Sequence, residues 1–347
     1  MAFARVGVRG VLVLIGLLTL GLGCGGRKEQ APRFAAQWTE YAGAGAIDHP
    51  EGLAVDPQGM LLVADTWNHR ILRVDPTSAA TPAPGGRPPT PGQNNGVLPV
   101  RAPRAITCFG ERGSKPGQFQ CPRSVTTDKR GDIYVVDNWN HRVEKFTREG
   151  RFLLKFGEKG GPFGYDEAPG KFVYPYGIAV DSKGFIYVSD FNNNRVHKFD
   201  PRGKFVMMWG TEGRQDGQFS HPAGLAVDSQ DRLYVADLGN DRIQAFRSSG
   251  DKMAFDGKWG EAGHEPGQFD RPYSVSVDAK ANVYVVDFGN HRVQKFDPSG
   301  RVLFATGEWG AGQGELDCPI SAAVGPDGAL YISDLGNNRI QKWTPAS

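Results

Sequence analysis

The chain has 347 residues, of which 39% are hydrophobic and 22% are charged, a balance that supports a folded core and excludes global disorder. Its formal net charge of +2 gives no sign of the clustered basic residues that nucleic-acid binding requires. The 47 glycines and 24 prolines favour many short strands joined by tight turns over long helices.

The first 23 residues are predicted to be a signal peptide. Arg5 and Arg9 precede an apolar run from Val11 to Gly23, which is shorter than the roughly 20 residues of a membrane-spanning helix. The run ends at Cys24, and this arrangement resembles a bacterial lipoprotein signal, which implies a lipid on Cys24. The resemblance departs from the usual pattern because Gly21 stands where a leucine is usual. The alternative is ordinary cleavage after residues 21–23.

Removal of residues 1–23 takes away Arg5 and Arg9 and leaves 38 basic and 38 acidic residues. We therefore expect a protein exported to the bacterial cell envelope, with residues 24–32 as a tether to a membrane-embedded lipid. Gly25 follows the cysteine where enteric lipoproteins of the inner membrane carry Asp, which favours the outer membrane.

The pattern D-x-x-N-x-R occurs six times, at intervals of 72, 53, 47, 50 and 47 residues. Self-similarity at this period indicates a repeat array. The first interval is long because of a Pro- and Gly-rich insertion at 77–102. The six copies begin at Asp65, Asp137, Asp190, Asp237, Asp287 and Asp334, and end at Arg70, Arg142, Arg195, Arg242, Arg292 and Arg339.

Each repeat is predicted to form four short antiparallel strands. A lead-in ending in Pro comes first, then apolar runs, which in the second repeat lie at 124–127, 133–137, 142–146 and 152–156. One such sheet buries too little surface, whereas radial stacking covers both faces of each sheet, as in a β-propeller. The last repeat lacks a fourth run, and residues 33–38 have the pattern of one. The sequence thus predicts an all-β, six-bladed propeller over 33–347, closed by its N-terminal strand.

The D-x-x-N-x-R element after an apolar strand, with its G-x-Phe-x-x-Pro lead-in, resembles the NHL repeat. This resemblance covers about residues 33–347 and implies a six-bladed propeller. Some NHL domains, those of tripartite-motif proteins, bind RNA through a basic face. A near-neutral exported chain does not suit that role, so no nucleic-acid partner is expected.

The repeated Asp, Asn and Arg are predicted to be structural. Short polar side chains stabilise tight turns, and an Arg that recurs in every blade is expected to form charge-assisted bonds with Asp. Binding residues should instead differ from blade to blade.

The candidate binding residues flank the lead-in proline, where they are expected to surround one mouth of the central channel. The residues after this proline are Glu51, Arg123, Tyr176, Ala223, Tyr273 and Ile320, and those before it are His49, Cys121, Tyr174, His221, Arg271 and Cys318. Aromatic and Arg side chains in a concave site commonly anchor a partner. We select Glu51, Arg123, Tyr176, Tyr273, Arg271, His221 and His49.

Catalysis is not predicted. The peptidyl-hydroxyglycine amidating lyases resemble NHL propellers and hold zinc with three His near the channel, in a motif that puts His after the lead-in proline. No His stands at those positions here. Glu51 is similar to a calcium-binding Glu of gluconolactonases, but its companion ligands are missing. We therefore expect no metal, no cofactor and no catalytic residue.

The function that the sequence favours is that of a monomeric, non-enzymatic module that binds an envelope protein, peptide or glycan. The alternative is an envelope hydrolase or lyase with a divergent channel metal site, in which Glu51, His49 and His221 would be ligands or base. The pairing state of Cys108, Cys121 and Cys318 is left open.

Overall fold

A computed structural model describes residues 29–78, 103–161, 168–249 and 252–346. The expected signal peptide, Cys24 and most of the expected insertion at 77–102 lie outside these residues. Within the four ranges, no helix has the length and apolar character to cross a membrane.

The described chain forms six four-stranded antiparallel sheets, which confirms the predicted blades. Each blade follows the order inner, second, third and outer strand. The inner strands line the central channel and are Pro50–Val55, Pro122–Thr127, Pro175–Val180, Pro222–Val227, Pro272–Val277 and Pro319–Val324. The second strands are Leu61–Asp65, Ile133–Asp137, Ile186–Asp190, Arg232–Asp237, Val283–Asp287 and Leu330–Asp334.

The remaining strands complete each blade toward its outer edge. The third strands are Arg70–Asp75, Arg142–Phe146, Arg195–Phe199, Arg242–Ser249, Arg292–Phe296 and Arg339–Thr344. The outer strands are Arg104–Phe109, Phe152–Phe156, Phe205–Trp209, Lys252–Trp259, Val302–Thr306 and, for the sixth blade, Arg33–Trp38. Short 3₁₀ turns occupy Asn138–Asn140, Phe191–Asn193, Leu238–Asn240 and Phe288–Asn290, and two-residue strands pair Glu40–Tyr41 with Gly45–Ala46 and Glu158–Lys159 with Lys171–Phe172.

The second strands depart from the expected alternation of apolar and polar residues. In Ile133–Asp137 every residue is buried, whereas the outer strand Arg104–Phe109 alternates between exposed and half-buried positions. The second strand lies mid-sheet with a neighbouring blade on each face, so both of its faces are buried and its sequence is almost continuously apolar.

The ring closes through the N-terminal strand, as predicted. Arg33–Trp38 pairs antiparallel with Arg339–Thr344, with Trp38 opposite Ile340. Trp38 is buried and stacks on Tyr331, with ring centroids 6.4 Å apart. Both rings belong to an apolar cluster that also contains Leu61 of the first blade. Closure therefore joins the last blade to the first by packing as well as by backbone pairing.

The hydrophobic core is divided into six clusters, one at each junction between neighbouring blades. At the junction of blades 3 and 4, for example, Tyr187 and Val196 pack with Phe219 and Leu233. Since each blade contributes to two clusters, no blade buries its apolar faces without its neighbours.

Candidate functional site

The D-x-x-N-x-R element holds the lead-in segment in place. The buried Asp137 accepts bonds from the Gln120 N–H at 2.7 Å, Asn140 Nδ2 at 2.7 Å and Arg142 Nε at 2.9 Å. The Arg142 guanidinium also donates to the carbonyl oxygen of Gln118 at 2.6 Å. The Asp–Arg pair recurs in all six blades at 2.6–3.0 Å. These contacts are those that a structural role requires, and they fix where the residues beside the proline lie.

The residue before each lead-in proline adopts a left-handed backbone conformation. Its φ lies between 50° and 57° in His49, Cys121, Tyr174, His221, Arg271 and Cys318. This conformation is unusual outside glycine, and the surrounding contacts must stabilise it.

Each of these residues forms a hydrogen bond to a side chain of the preceding blade. We call this contact a clasp, and the sequence did not predict it. The side chain before the motif Arg accepts a hydrogen bond from the N–H of the pre-proline residue in the next blade. The acceptors are His69, His141, Asn194, Asp241, His291 and Asn338, at 2.7–3.2 Å. Asn338 reaches His49 and so closes the ring. The signal in the sequence is that all six side chains have an acceptor atom at one repeat position.

The clasps of His69 and His141 make stability depend on pH. Both rings accept through Nδ1, as His291 also does, and an imidazole that accepts there must be neutral. Burial is the main cause that lowers the pKa of each ring; Arg112 lowers it further at His69 and Lys159 does so at His141, where Asp190 opposes the shift. The folded state therefore binds fewer protons than the unfolded state. We expect the two histidines to make their whole contribution to the free energy of unfolding above about pH 6.5. This contribution should be lost as the pH falls through the lowered pKa of the folded state.

The matched variant is His69→Asn/His141→Asn, because blades 3 and 6 use Asn194 and Asn338 as clasps. We expect urea unfolding between pH 7 and pH 5 to give a smaller loss of stability for this variant than for the wild type. The buried His197, whose pKa burial also lowers, leaves a residual slope in both proteins. Equal slopes would show that the clasps do not titrate.

Four candidate residues converge at the channel mouth. Arg123 Nη1 lies 3.3 Å from Glu51 Oε2 and donates to Tyr176 Oη at 3.1 Å. Tyr176 Oη donates to Glu51 Oε2 at 3.3 Å, and its ring packs edge-on against Tyr273, with centroids 5.1 Å apart. Ile320 lines the same space. We call Glu51, Arg123, Tyr176 and Tyr273 the mouth cluster.

Small residues after the cluster positions allow this close approach. Gly52 follows Glu51, and a Cβ there would lie 2.6 Å from the carbonyl oxygen of Arg123. At Gly224 a Cβ would lie 2.6 Å from the Cα of Ser274. Glycine therefore lets neighbouring inner strands come together where they enter the channel.

The electrostatics of the mouth cluster are those of buried polar groups that pair with one another. Burial raises the pKa of Glu51, while Arg123 and the bond from Tyr176 oppose that rise. Burial also raises the pKa of both Tyr176 and Tyr273. For Arg123, burial lowers the pKa, but the phenols and the carboxylate outweigh it and the net shift is upward.

The mouth cluster leaves little free space. The cavity among its side chains is about 20 Å³, close to the volume that one water needs. Below it, the inner strands enclose a cavity of about 270 Å³, lined partly by Ser124, Thr126 and Ser276. The side chains of the mouth cluster thus nearly close the channel at this end.

The other three candidates lie apart from the cluster and pack on aromatic rings. His49 stacks on Trp67 with centroids 3.7 Å apart, and His221 lies 4.9 Å from the Phe191 ring. The Arg271 guanidinium lies 5.1 Å over Phe288. The aromatic partners all come from D-x-x-N-x-R turns.

The ligand set Glu51, His49 and His221 is not assembled. In the part of the chain that the structure describes, the one group of three His, Cys, Asp or Glu ligand atoms within 4.8 Å is His291, Asp317 and Cys318. His291 Nδ1 already accepts the Cys318 N–H there. Cys108, Cys121 and Cys318 are unpaired.

Exposed aromatic residues of blades 1 to 3 lie on the same face as the mouth, and the sequence did not predict two of them. Trp67 is 56% exposed, Trp139 52% and Tyr174 44%. The two tryptophans stand two residues after the motif Asp, where blade 3 has Asn192 and blades 4 to 6 have Gly239, Gly289 and Gly336. Comparison of the repeats at this position could have found them. We call Trp67, Trp139 and Tyr174 the aromatic patch.

Comparisons with known proteins agree with this architecture. The NHL repeat model matches residues 48–73, 119–146, 172–199, 219–246, 269–296 and 316–343. The chain is 35% identical over 104 residues to Protein brain tumor of Drosophila melanogaster, covering 29% of this chain and 10% of that protein. It is 32% identical over 106 residues to human NHL repeat-containing protein 3, covering 29% of each chain.

A probable peptidyl-α-hydroxyglycine α-amidating lyase of Caenorhabditis elegans is 33% identical over 117 residues, which cover 33% of this chain and 31% of that protein. The matches thus span between a tenth and a third of these relatives. Among solved structures, a gluconolactonase from Xanthomonas campestris aligns with a TM-score of 0.59 at 13% identity, covering 91% of this chain and 95% of the other. A streptogramin B lyase gives 0.54 at 14% identity, covering 86% and 94%. At these identities the structures share the fold. With six matching repeats that form six blades, the chain belongs to the NHL-repeat β-propeller family.

Proposed function

We propose that the protein is a non-enzymatic binding module of the bacterial cell envelope, held at a membrane through a lipid on Cys24. Its ligand would be an envelope protein, peptide or glycan. The recognition surface would be the propeller face that carries the aromatic patch, with the mouth cluster at its centre. The observation that carries the proposal is the exposure of Trp67 and Trp139 on turns that the blade framework holds in place.

The backbone of both tryptophans is held before any ligand arrives. The Trp67 backbone N–H donates to the Asp48 carbonyl at 3.1 Å, and the Trp67 ring is stacked on His49. The Trp139 backbone N–H donates to the Gln120 carbonyl at 3.1 Å. Anchors whose backbone is already held lose less conformational entropy on binding, and exposed aromatic groups are frequent anchors of interfaces.

The mouth cluster supports recognition more than it supports turnover. The Glu51 carboxylate is already paired with Arg123 and Tyr176, and the space beside it holds about one water. A hydrolase or lyase that used Glu51, His49 and His221 together would need their ligand atoms to converge. Their separation is the reason for preferring a binding module.

The test compares Trp67→Ala/Trp139→Ala with wild type on two probes, an array of envelope glycans and a peptide digest of envelope proteins. We expect the ligand that the wild type selects to bind the variant at least about tenfold more weakly, because one anchor residue contributes about 1–2 kcal/mol or more. Affinity would be measured by calorimetry on the selected ligand.

The control is Leu153→Ala, which removes an exposed apolar side chain from the outer strand of blade 2. Its affinity should equal that of the wild type. Unchanged binding by the tryptophan variant would move recognition away from the patch. A stoichiometric metal ion in the purified protein that is lost in Glu51→Ala would overturn the non-enzymatic proposal in favour of a hydrolase or lyase.

A further inference from the structure

Blades 2, 3, 5 and 6 carry a lysine at the same place in the third strand. Each places the ammonium group over a tyrosine of the second strand, 4.8–5.5 Å from the ring centroid; the lysines are Lys145, Lys198, Lys295 and Lys342. They lie toward the ends of the inner strands opposite the lead-in prolines, so they belong to the face away from the mouth cluster.

Two of the four lysines are paired with carboxylates. Lys145 Nζ lies 3.0 Å from Asp132, and Lys295 Nζ lies 2.7 Å from Glu29. Among the residues that the structure describes, Lys198 and Lys342 have no carboxylate oxygen within 4 Å, and of these two only Lys198 is buried. Phe185 occupies the repeat position of Asp132, and its ring centroid lies 4.4 Å from the Lys198 ammonium group. The remaining polar partner of this ammonium group is Ser248 Oγ at 3.2 Å.

Lys198 borders an open cavity. A space of about 480 Å³ lies between blades 3 and 4 and is lined by Lys198, Phe185, Val206, Met207 and Arg247, among others. The lysine itself is only 4% exposed. A buried cation without a paired carboxylate is costly. Burial is the main cause that lowers the pKa of this amine, and Asp181 and Asp231 oppose that shift only in part.

The acids beside the cavity are already engaged. Asp231 accepts bonds from the Ser182 N–H at 2.8 Å and the Ser182 hydroxyl at 2.7 Å. Asp181 accepts from the Tyr187 hydroxyl at 3.1 Å and from the Phe185 N–H at 2.9 Å. The charge of Lys198 is therefore left for an outside group.

At the junction of blades 5 and 6, a carboxylate from another part of the chain occupies the equivalent position. There the N-terminal segment places the Glu29 carboxylate on Lys295, at 2.7 and 2.8 Å from its two oxygens. Pro32 of the same segment lines the adjoining space with Phe304 and Leu330. The chain thus provides its own example of a carboxylate with an apolar neighbour bound at this repeat position.

We propose that the cavity between blades 3 and 4 binds a ligand with a carboxylate and an adjoining apolar group. The carboxylate occupies at Lys198 the position that Glu29 occupies at Lys295, and the apolar group packs on Phe185, Val206 and Met207. A free organic acid and an acidic side chain of a peptide share this chemistry. The site lies on the other face from the aromatic patch and does not depend on the proposed function.

The probes are glutarate, the peptide acetyl-Glu-Gln-Ala-Pro-amide, which copies residues 29–32, and the same peptide with Gln in place of Glu. Binding is followed by calorimetry and by the rate at which an amine-acylating ester modifies Lys198 at pH 8, read by peptide mass mapping. We expect the Glu peptide to slow acylation of Lys198 several-fold, with the exposed Lys129, which does not line this cavity, as the internal reference. The Gln peptide should bind at least tenfold more weakly.

Two variants of the site and one control make the test specific. Lys198→Met keeps the buried stem without the charge and should abolish binding of the Glu peptide, whereas Lys145→Met should leave it unchanged. Phe185→Asp restores the acid that blade 2 carries and should weaken binding at least tenfold by occupying Lys198 internally. Tighter binding of the peptide than of glutarate indicates a peptide source, and equal binding a small acid. Equal affinity for the Glu and Gln peptides, or no binding of either acid, would overturn the proposal.

Discussion

Deletion of residues 33–42 is expected to lower the stability of all six blades together. The deletion removes the strand Arg33–Trp38, exposes the edge of Arg339–Thr344 and opens the apolar cluster between blades 6 and 1. Because each blade is covered by its neighbours, an opened ring exposes apolar surface at both of its ends. Circular dichroism and urea unfolding should show one early transition or no cooperative transition.

Trp38→Ala tests the same closure in a chain that still folds. The ring is buried against Tyr331, and truncation of a buried tryptophan costs about 3–5 kcal/mol. This is a large share of the roughly 5–15 kcal/mol by which domains are stable. Trp309→Ala is the control because that side chain is 72% exposed, and it should change stability by less than about 0.5 kcal/mol. Equal effects of the two substitutions would contradict the closure argument.

Asp237→Ala is expected to lower the free energy of unfolding by about 3–5 kcal/mol, because it leaves the buried Arg242 without its partner. Asp237 is fully buried and accepts bonds from Arg242 Nε at 2.7 Å and the Ser220 N–H at 2.7 Å. Asn240 and Gln244 donate to the same carboxylate, each at 3.0 Å. Urea unfolding at neutral pH measures the change.

The matched control is Asp216→Ala, which breaks the exposed ion pair with Lys258, 2.5 Å apart and about half exposed on both sides. An exposed pair contributes about 0–1 kcal/mol, so this variant should stay near the wild type. If Asp237→Ala were equally mild, the recurring Asp–Arg pair would not be the structural framework that its six copies indicate.

The sequence predicted the blades well because their signals are local and repeated. The four strands of the second repeat were placed to within two residues, since Pro, Gly or the D-x-x-N-x-R turn stands at their boundaries. The pairing of Arg33–Trp38 with the last blade followed from a missing fourth run, which is a counting argument. The burial of the second strands on both faces was not predicted, because it depends on neighbouring blades.

The candidate site was predicted in part. Convergence of Glu51, Arg123, Tyr176 and Tyr273 follows from their shared repeat position, since equivalent residues of a ring meet at its axis. The separate placement of His49, His221 and Arg271 depends on the left-handed backbone before the proline, which residue type alone does not reveal. The clasps were missed because each joins residues of different blades through side-chain atoms, as in Asn194 and His221.

The position of Glu29 would also determine how a tethered propeller is oriented. Glu29 is bound on the face opposite the mouth cluster, beside Lys295. Glu29 is the fifth residue after Cys24, a reach of about 17 Å at full extension. A lipid on Cys24 would therefore draw the face with Lys295 toward the bilayer and turn Trp67 and Trp139 outward, away from the membrane, where a partner can approach them.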